Sequence, residues 1–185
     1  MRFRLLTSAT LMAAPLMLLG ANVSATEFST TLSGFEEVGA LNAETGAIFS
    51  AGKAKLDLDL NRNARTVTFT LTYSGLSAPV TQSHIHLGKR HVPGGVMVFF
   101  CTNLNNGPAG TQTCPAGTTT AATVTGMITG ASVVGPTAQN VTAGDFDALV
   151  AALDSHTAYG NIHTTNFPAG EIRGQIRRGD EDDRR

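Results

Sequence analysis

Two runs of strict alternation constrain the fold of this chain more than any other feature. Ala54-Lys55-Leu56-Asp57-Leu58-Asp59-Leu60 sets apolar and charged side chains in turn, and Val67-Thr68-Phe69-Thr70-Leu71-Thr72-Tyr73 repeats the pattern. A period of two is the signature of a strand with one face on a core and the other toward water. Asn61-Arg62-Asn63-Ala64, between the runs, carries turn residues and predicts a hairpin. Further short strand-like runs follow the same logic: Phe28 to Phe35, Ser83 to Gly88, Val96 to Phe100, Thr118 to Ile128, Tyr159 to Thr164 and Glu171 to Arg177. Loops such as Gly75 to Pro79 separate them. Many short strands with frequent turns predict an all-β domain, a Greek-key β-sandwich or barrel. One segment departs from this. Phe146, Leu149, Val150 and Leu153 fall at i, i+3, i+4 and i+7, which predicts a short helix over residues 143–153. Thr142 is its expected N-cap, with Asp145 near the positive end.

The N-terminus is read as an export signal over residues 1–25. Arg2 and Arg4 supply the positive region, Leu11 to Leu19 the apolar region, and Val23-Ser24-Ala25 a small-residue cleavage site. The apolar stretch is short and contains Pro15, so no membrane span is expected once the signal is cleaved. The expected mature protein, Thr26 to Arg185, has the size of one domain. It is secreted or periplasmic on this reading. Removing Arg2 and Arg4 from the 13 basic residues leaves 11 against 14 acidic ones, which excludes a nucleic-acid surface. Residues 178–185 form a charged tail that is expected to be disordered. Cys101 and Cys114 are an even pair in an oxidising compartment, which suggests a disulfide across the loop Asn103 to Thr113. The alternative is a pair of thiolate metal ligands.

The chemistry-bearing residues are three histidines. In Ser83-His84-Ile85-His86-Leu87-Gly88, alternation puts His84 and His86 on one face and Ile85 and Leu87 on the other. His163, in Tyr159-Gly160-Asn161-Ile162-His163-Thr164, opposes Ile162 in the same way. Apolar residues go to the core, so the imidazoles are expected on the polar outer face of the sheet. Without a metal they are polar residues of a solvent-facing strand. With one they are a three-nitrogen site, suited to copper, zinc, iron or nickel, and catalytic only if a coordination position stays open. Glu171 and Arg173 share a face of the last strand. They are either an exposed ion-pair ladder or support for the site, with Glu171 accepting an imidazole N–H and Arg173 steering an anion toward the metal. Asn161 and Thr165 are placed for similar positioning. No catalytic residue is assigned: no nucleophile elbow, P-loop, dinucleotide fingerprint or glycosidase pair of carboxylates stands out.

Taken together, these segments resemble the CHRD domain, known from chordin and from exported microbial proteins. The likeness is carried by Leu32-Ser33-Gly34-Phe35-Glu36-Glu37, by Gly75-Leu76 with Ser83 to Gly88, and by Gly94-Gly95-Val96-Met97-Val98-Phe99-Phe100-Cys101. Tyr159 to Thr164 and Phe167-Pro168-Ala169-Gly170-Glu171-Ile172-Arg173-Gly174-Gln175-Ile176 close it. It covers residues 28–176 and implies an all-β extracellular module. His91 and His156 fall outside these motifs. A second likeness is one of arrangement. Copper-zinc superoxide dismutases also place a Gly-Leu turn before a strand with His-x-His, and add a histidine from a later strand. Their bridging-histidine zinc cluster has no counterpart in this sequence. The expected function is therefore a non-catalytic extracytoplasmic binding module, with an extracellular or envelope protein as partner. Its metal ion would be copper in the first place and zinc in the second. The alternative is a copper redox protein with superoxide dismutase-like activity or a role in envelope copper handling.

Overall fold

The computed structural model describes residues 25–38 and 46–179. The segment read as an export signal, apart from Ala25, and the charged tail beyond Gly179 lie outside the described residues. The strands are β1 (Thr26–Ser33), β2 (Lys53–Asn61), β3 (Thr66–Ser74), β4 (Val80–Leu87), β5 (Gly95–Thr102), β6 (Ala122–Ile128), β7 (Ala158–Thr164), β8 (Ile172–Gln175) and β9 (Arg177–Arg178). Among the described residues one α-helix, α1 (Phe146–Asp154), precedes β7, beside three single 3-10 turns. The alternating runs become β2 and β3, a hairpin with Leu56 opposite Leu71 and Leu58 opposite Phe69. Asn61 Oδ1 accepts from the Ala64 N–H and fixes the turn.

The strands form one antiparallel sheet in the order β5-β4-β7-β8-β1-β2-β3-β6, and β9 adds to β1. The sheet curls until β5 and β6 face each other. No ladder joins them. Instead the Gln112 side-chain amide spans the gap, donating to the Phe100 carbonyl of β5 and the Thr125 carbonyl of β6, and the segment after β6 reaches β5 through the Val98–Val133 bridge and the Val134 N–H on the Met97 carbonyl. Counted across this seam, β3-β6-β5-β4 is a Greek-key order. Gln112 belongs to the loop closed by the Cys101–Cys114 disulfide, which forms as expected. The molecule is thus an all-β, nearly closed barrel.

Inside it, Phe28 and Leu32 of β1, Leu56, Leu58 and Leu60 of β2, and Val67 and Leu71 of β3 meet Ile85, Ile162 and Ile172 in one buried cluster. Phe146, Leu149 and Leu153 of α1 join this core, so the helical stripe covers an end of the barrel. The helix begins three residues later than its periodicity suggests. Gly144 has φ +90°, outside the helical range. Asp145 then serves as N-cap, accepting from the Ala148 N–H at 2.9 Å. Arg178, read as the start of the tail, pairs with Phe28 and bonds Asp154 at 3.1 Å. Among the described residues no helix is long and apolar enough to cross a membrane.

Candidate metal centre

β4 and β7 pair with His86 opposite Tyr159, His84 opposite Asn161 and Gln82 opposite His163. This register brings His84, His86 and His163 to one face, with His163 diagonal to His84. Ile85 and Ile162 take the other face, in the core. The pairing of β7 with β8 sets Arg173 opposite Asn161 on the histidine side. Register shifts of β4 against β5 flank His84 and His86 and re-aim both rings.

The imidazole face is not the solvent-facing surface expected from alternation. His84, His86 and His163 are 2%, 7% and 6% exposed. The cover comes from the loop 88–94, whose Gly94 carbonyl meets His86, from the turn 167–170, whose Pro168 carbonyl meets His163, and from Phe99 of β5, packed on His84; Glu37 closes over the neighbouring Asn161. Glycines allow the closest approach. A Cβ at Gly94 would collide with the Leu87 carbonyl, and one at Gly88 would lie 2.9 Å from the Tyr159 ring. The loop then hydrogen-bonds downward, with the Gly94 N–H donating to the Tyr159 hydroxyl at 3.0 Å.

Backbone carbonyls set the tautomers of two rings. His86 Nδ1 lies 2.9 Å from the Gly94 carbonyl and His163 Nδ1 lies 3.0 Å from the Pro168 carbonyl. A carbonyl only accepts, so each Nδ1 carries the proton and each Nε2 keeps its lone pair. His163 Nε2 lies 3.3 Å from His84 Nδ1. His86 Nε2 is buried with no hydrogen-bond partner, as is His84 Nε2. One nitrogen from each histidine falls within 4.8 Å of the others. Nitrogens bound at 2.0–2.1 Å to one ion lie about 3.3–3.6 Å apart, for angles between tetrahedral and trigonal. The His84–His163 separation already fits, and a shift of about 1 Å brings in the third ring. Three buried imidazoles that converge in this way, with His86 Nε2 left without a partner, are what a metal ion would satisfy.

Burial keeps all three rings neutral. Desolvation depresses His84 to about 2, helped by the repulsion that a proton on it would meet from one on His163 or His86. Desolvation also lowers His86 to about 4, against the Gly94 hydrogen bond, and lowers His163 against that of Pro168. Neutral imidazole is the metal-binding form.

The support around the histidines differs from the expected one. Glu171 does not face an imidazole. Its carboxylate accepts from Ser50 Oγ (2.6 Å), the Ser77 N–H (2.9 Å), Ser77 Oγ (2.8 Å) and Thr164 Oγ1 (2.7 Å), and so ties three segments together. Burial works to raise its pKa, but these donors outweigh it and hold the carboxyl below the ordinary range. Nor does Arg173 pair with Glu171 or line an open path for anions. It is 2% exposed, lies 3.5 Å above the Tyr159 ring centre and donates to the Lys89 and Val92 carbonyls. Tyr159 in turn stacks on His86, with ring centres 4.8 Å apart and planes 4° from parallel. Because β7 lies between β4 and β8, imidazole, phenol and guanidinium form one stack. Asn161 is on the histidine face as expected and donates to Glu37 Oε2 at 2.6 Å. Thr165 is exposed. His91 is exposed and lies 3.5 Å from Glu36, and neither it nor His156 belongs to the cluster.

Sequence reasoning missed Glu37, which is buried and pushed up in pKa by that burial. It also missed the carbonyls of Gly94 and Pro168. Glu37 sits in a Glu-Glu pair at the end of the 3-10 turn that follows β1, with nothing to mark which of the two turns inward. Backbone acceptors leave no trace in side-chain identity.

The family model for the CHRD domain matches residues 28–176. No curated protein and no solved structure matches the chain.

Proposed function

The chain belongs to the CHRD domain family, and on that premise we propose that it is an exported, non-catalytic extracytoplasmic binding module with a metal ion on His84, His86 and His163. The observation that carries the metal reading is the convergence of three buried imidazoles, two of them held in the ligating tautomer by carbonyls of the Gly94 and Pro168 loops. Imidazole donors suit copper, zinc, iron and nickel, and copper heads the affinity order for divalent first-row ions; copper is the first choice and zinc the second. When bound, the ion supplies a cross-link between β4, β7 and the two loops that hold the rings. It thereby shapes the surface those loops present to an extracellular or envelope protein. Family membership supports the extracellular setting.

A copper redox protein of the superoxide dismutase kind is the competing reading. It needs an ion within reach of a small anion. Burial of all three imidazoles and of Arg173 weighs against that and favours the binding module.

The test is metal content. The purified full-length protein and its His84→Ala/His86→Ala/His163→Ala variant are loaded with copper or zinc, dialysed and analysed for metal. One equivalent retained by the parent and lost by the variant is expected. No stoichiometric metal in the parent would return the histidines to a structural role. Superoxide consumption by the copper-loaded parent, abolished in the variant, would favour the redox reading.

A further inference from the structure

Resting on the metal reading above, we propose that the three-histidine cluster takes a monovalent, three-coordinate cuprous ion in preference to a divalent one. The first argument is charge. All three donors are neutral imidazoles, and among the described residues no aspartate, glutamate or cysteine joins them. Glu37, the carboxylate bonded on this face, is committed to the Asn161 amide and the Val38 N–H. The buried cation of the site, Arg173, lies at the far end of the stack that runs through Tyr159 to His86. A dication held here would keep its double charge on neutral donors among buried side chains. The solvation an ion loses on burial grows with the square of its charge, so a dication forfeits about four times as much as a monocation.

The second argument is coordination number. Zinc and cupric ions seek at least a fourth donor, which three imidazoles leave to water. Here the imidazoles are walled by rings. Phe99 packs perpendicular to His84 with centres 4.4 Å apart, and Tyr159 lies flat on His86. A cuprous ion is satisfied by three nitrogen donors and needs no water. The same geometry names the ligand atoms: Nδ1 of His84, which faces His163, and Nε2 of His86 and His163, whose other nitrogens are held by carbonyls.

The experiment is a competition on the metal-free full-length protein. Cuprous ion is presented anaerobically from its bicinchoninate complex with ascorbate as reductant. Zinc is presented separately from a chromogenic chelator. One cuprous ion per chain is expected, bound roughly a hundredfold or more tighter than zinc. X-ray absorption should then show three nitrogen neighbours. Zinc bound as tightly as cuprous ion, or a fourth light-atom ligand on the copper, overturns this inference and leaves the metal site standing. Stoichiometric binding of neither ion overturns both. His86→Asp adds a negative donor and should shift the preference toward zinc by at least about tenfold. An unchanged preference in a folded His86→Asp protein overturns the charge argument.

Discussion

His84, His86 and His163 behave as buried bases, and the consequence is measurable as acid sensitivity. In the unfolded chain a histidine takes its proton near pH 6.5. In the folded protein burial delays protonation of His86 to about 4 and of His84 to about 2. Between pH 6.5 and 4 the unfolded state therefore binds more protons, and the metal-free fold loses stability as pH falls. The slope is up to about 1.4 kcal/mol per pH unit for each histidine. Glu171, held below the ordinary carboxylate range, adds a loss of the same sign at lower pH. Urea unfolding at pH 7, 6 and 5 should give falling midpoints, and the triple alanine variant should be flatter over that range. Equal midpoints for the parent from pH 7 to pH 5 would contradict neutral burial. The facing of these side chains was legible, because alternation in β4 and β7 separates the histidines from Ile85 and Ile162. Their burial was not, because it depends on what lies over the strand and not on the strand itself.

At the scale of elements, the loop 88–94 is what converts a polar sheet face into an enclosed site. Gly94 is its tightest point, since any Cβ there meets the Leu87 carbonyl. Gly94→Ala should cost about 3 kcal/mol and weaken metal retention, because the Gly94 carbonyl also orients His86. Gly110→Ala is the control. Its φ is +86° but nothing lies within 4 Å of the added carbon, so a cost of about 1 kcal/mol with metal retention intact is expected. Denaturant melts and metal analysis of both variants separate packing from backbone conformation. The strands themselves were legible to within a few residues, because β2, β3, β4 and β7 carry clean alternation. The helix start was not. Thr142 and Asp145 are both good caps, and the conformation of Gly144 decides between them. The partners of Glu171 were also out of reach. Ser50 and Ser77 are 121 and 94 residues away in sequence, and hydroxyls in loops announce no particular acceptor.

For the whole molecule, the bond between Cys101 and Cys114 anchors the loop that carries Gln112, the side chain linking β5 to β6. Cys101→Ser/Cys114→Ser should lower stability by about 3 kcal/mol in the chain-entropy model. It should also speed amide hydrogen exchange along β5 and β6 more than along β1 and β2. Uniform acceleration across the sheet would show that the loop does not govern the seam. The pairing was legible from two cysteines in a chain read as exported. That the loop also closes the barrel was not, since it depends on which strands end up at the margins of the sheet.

A tube slit along its length keeps its resistance to bending but yields readily to twist, and the slit is where it gives. The slit here runs between β5 and β6, bridged by an amide side chain and by the Val98–Val133 pairing. β7 lies two strands in from the β5 lip and is braced by β4 on one side and β8 on the other. His163 therefore rides on a stiff part of the wall. Phe99, the ring against His84, hangs on the lip itself. The two sides of the imidazole cluster are thus carried by differently braced walls, an inner strand under His163 and a lip strand under Phe99.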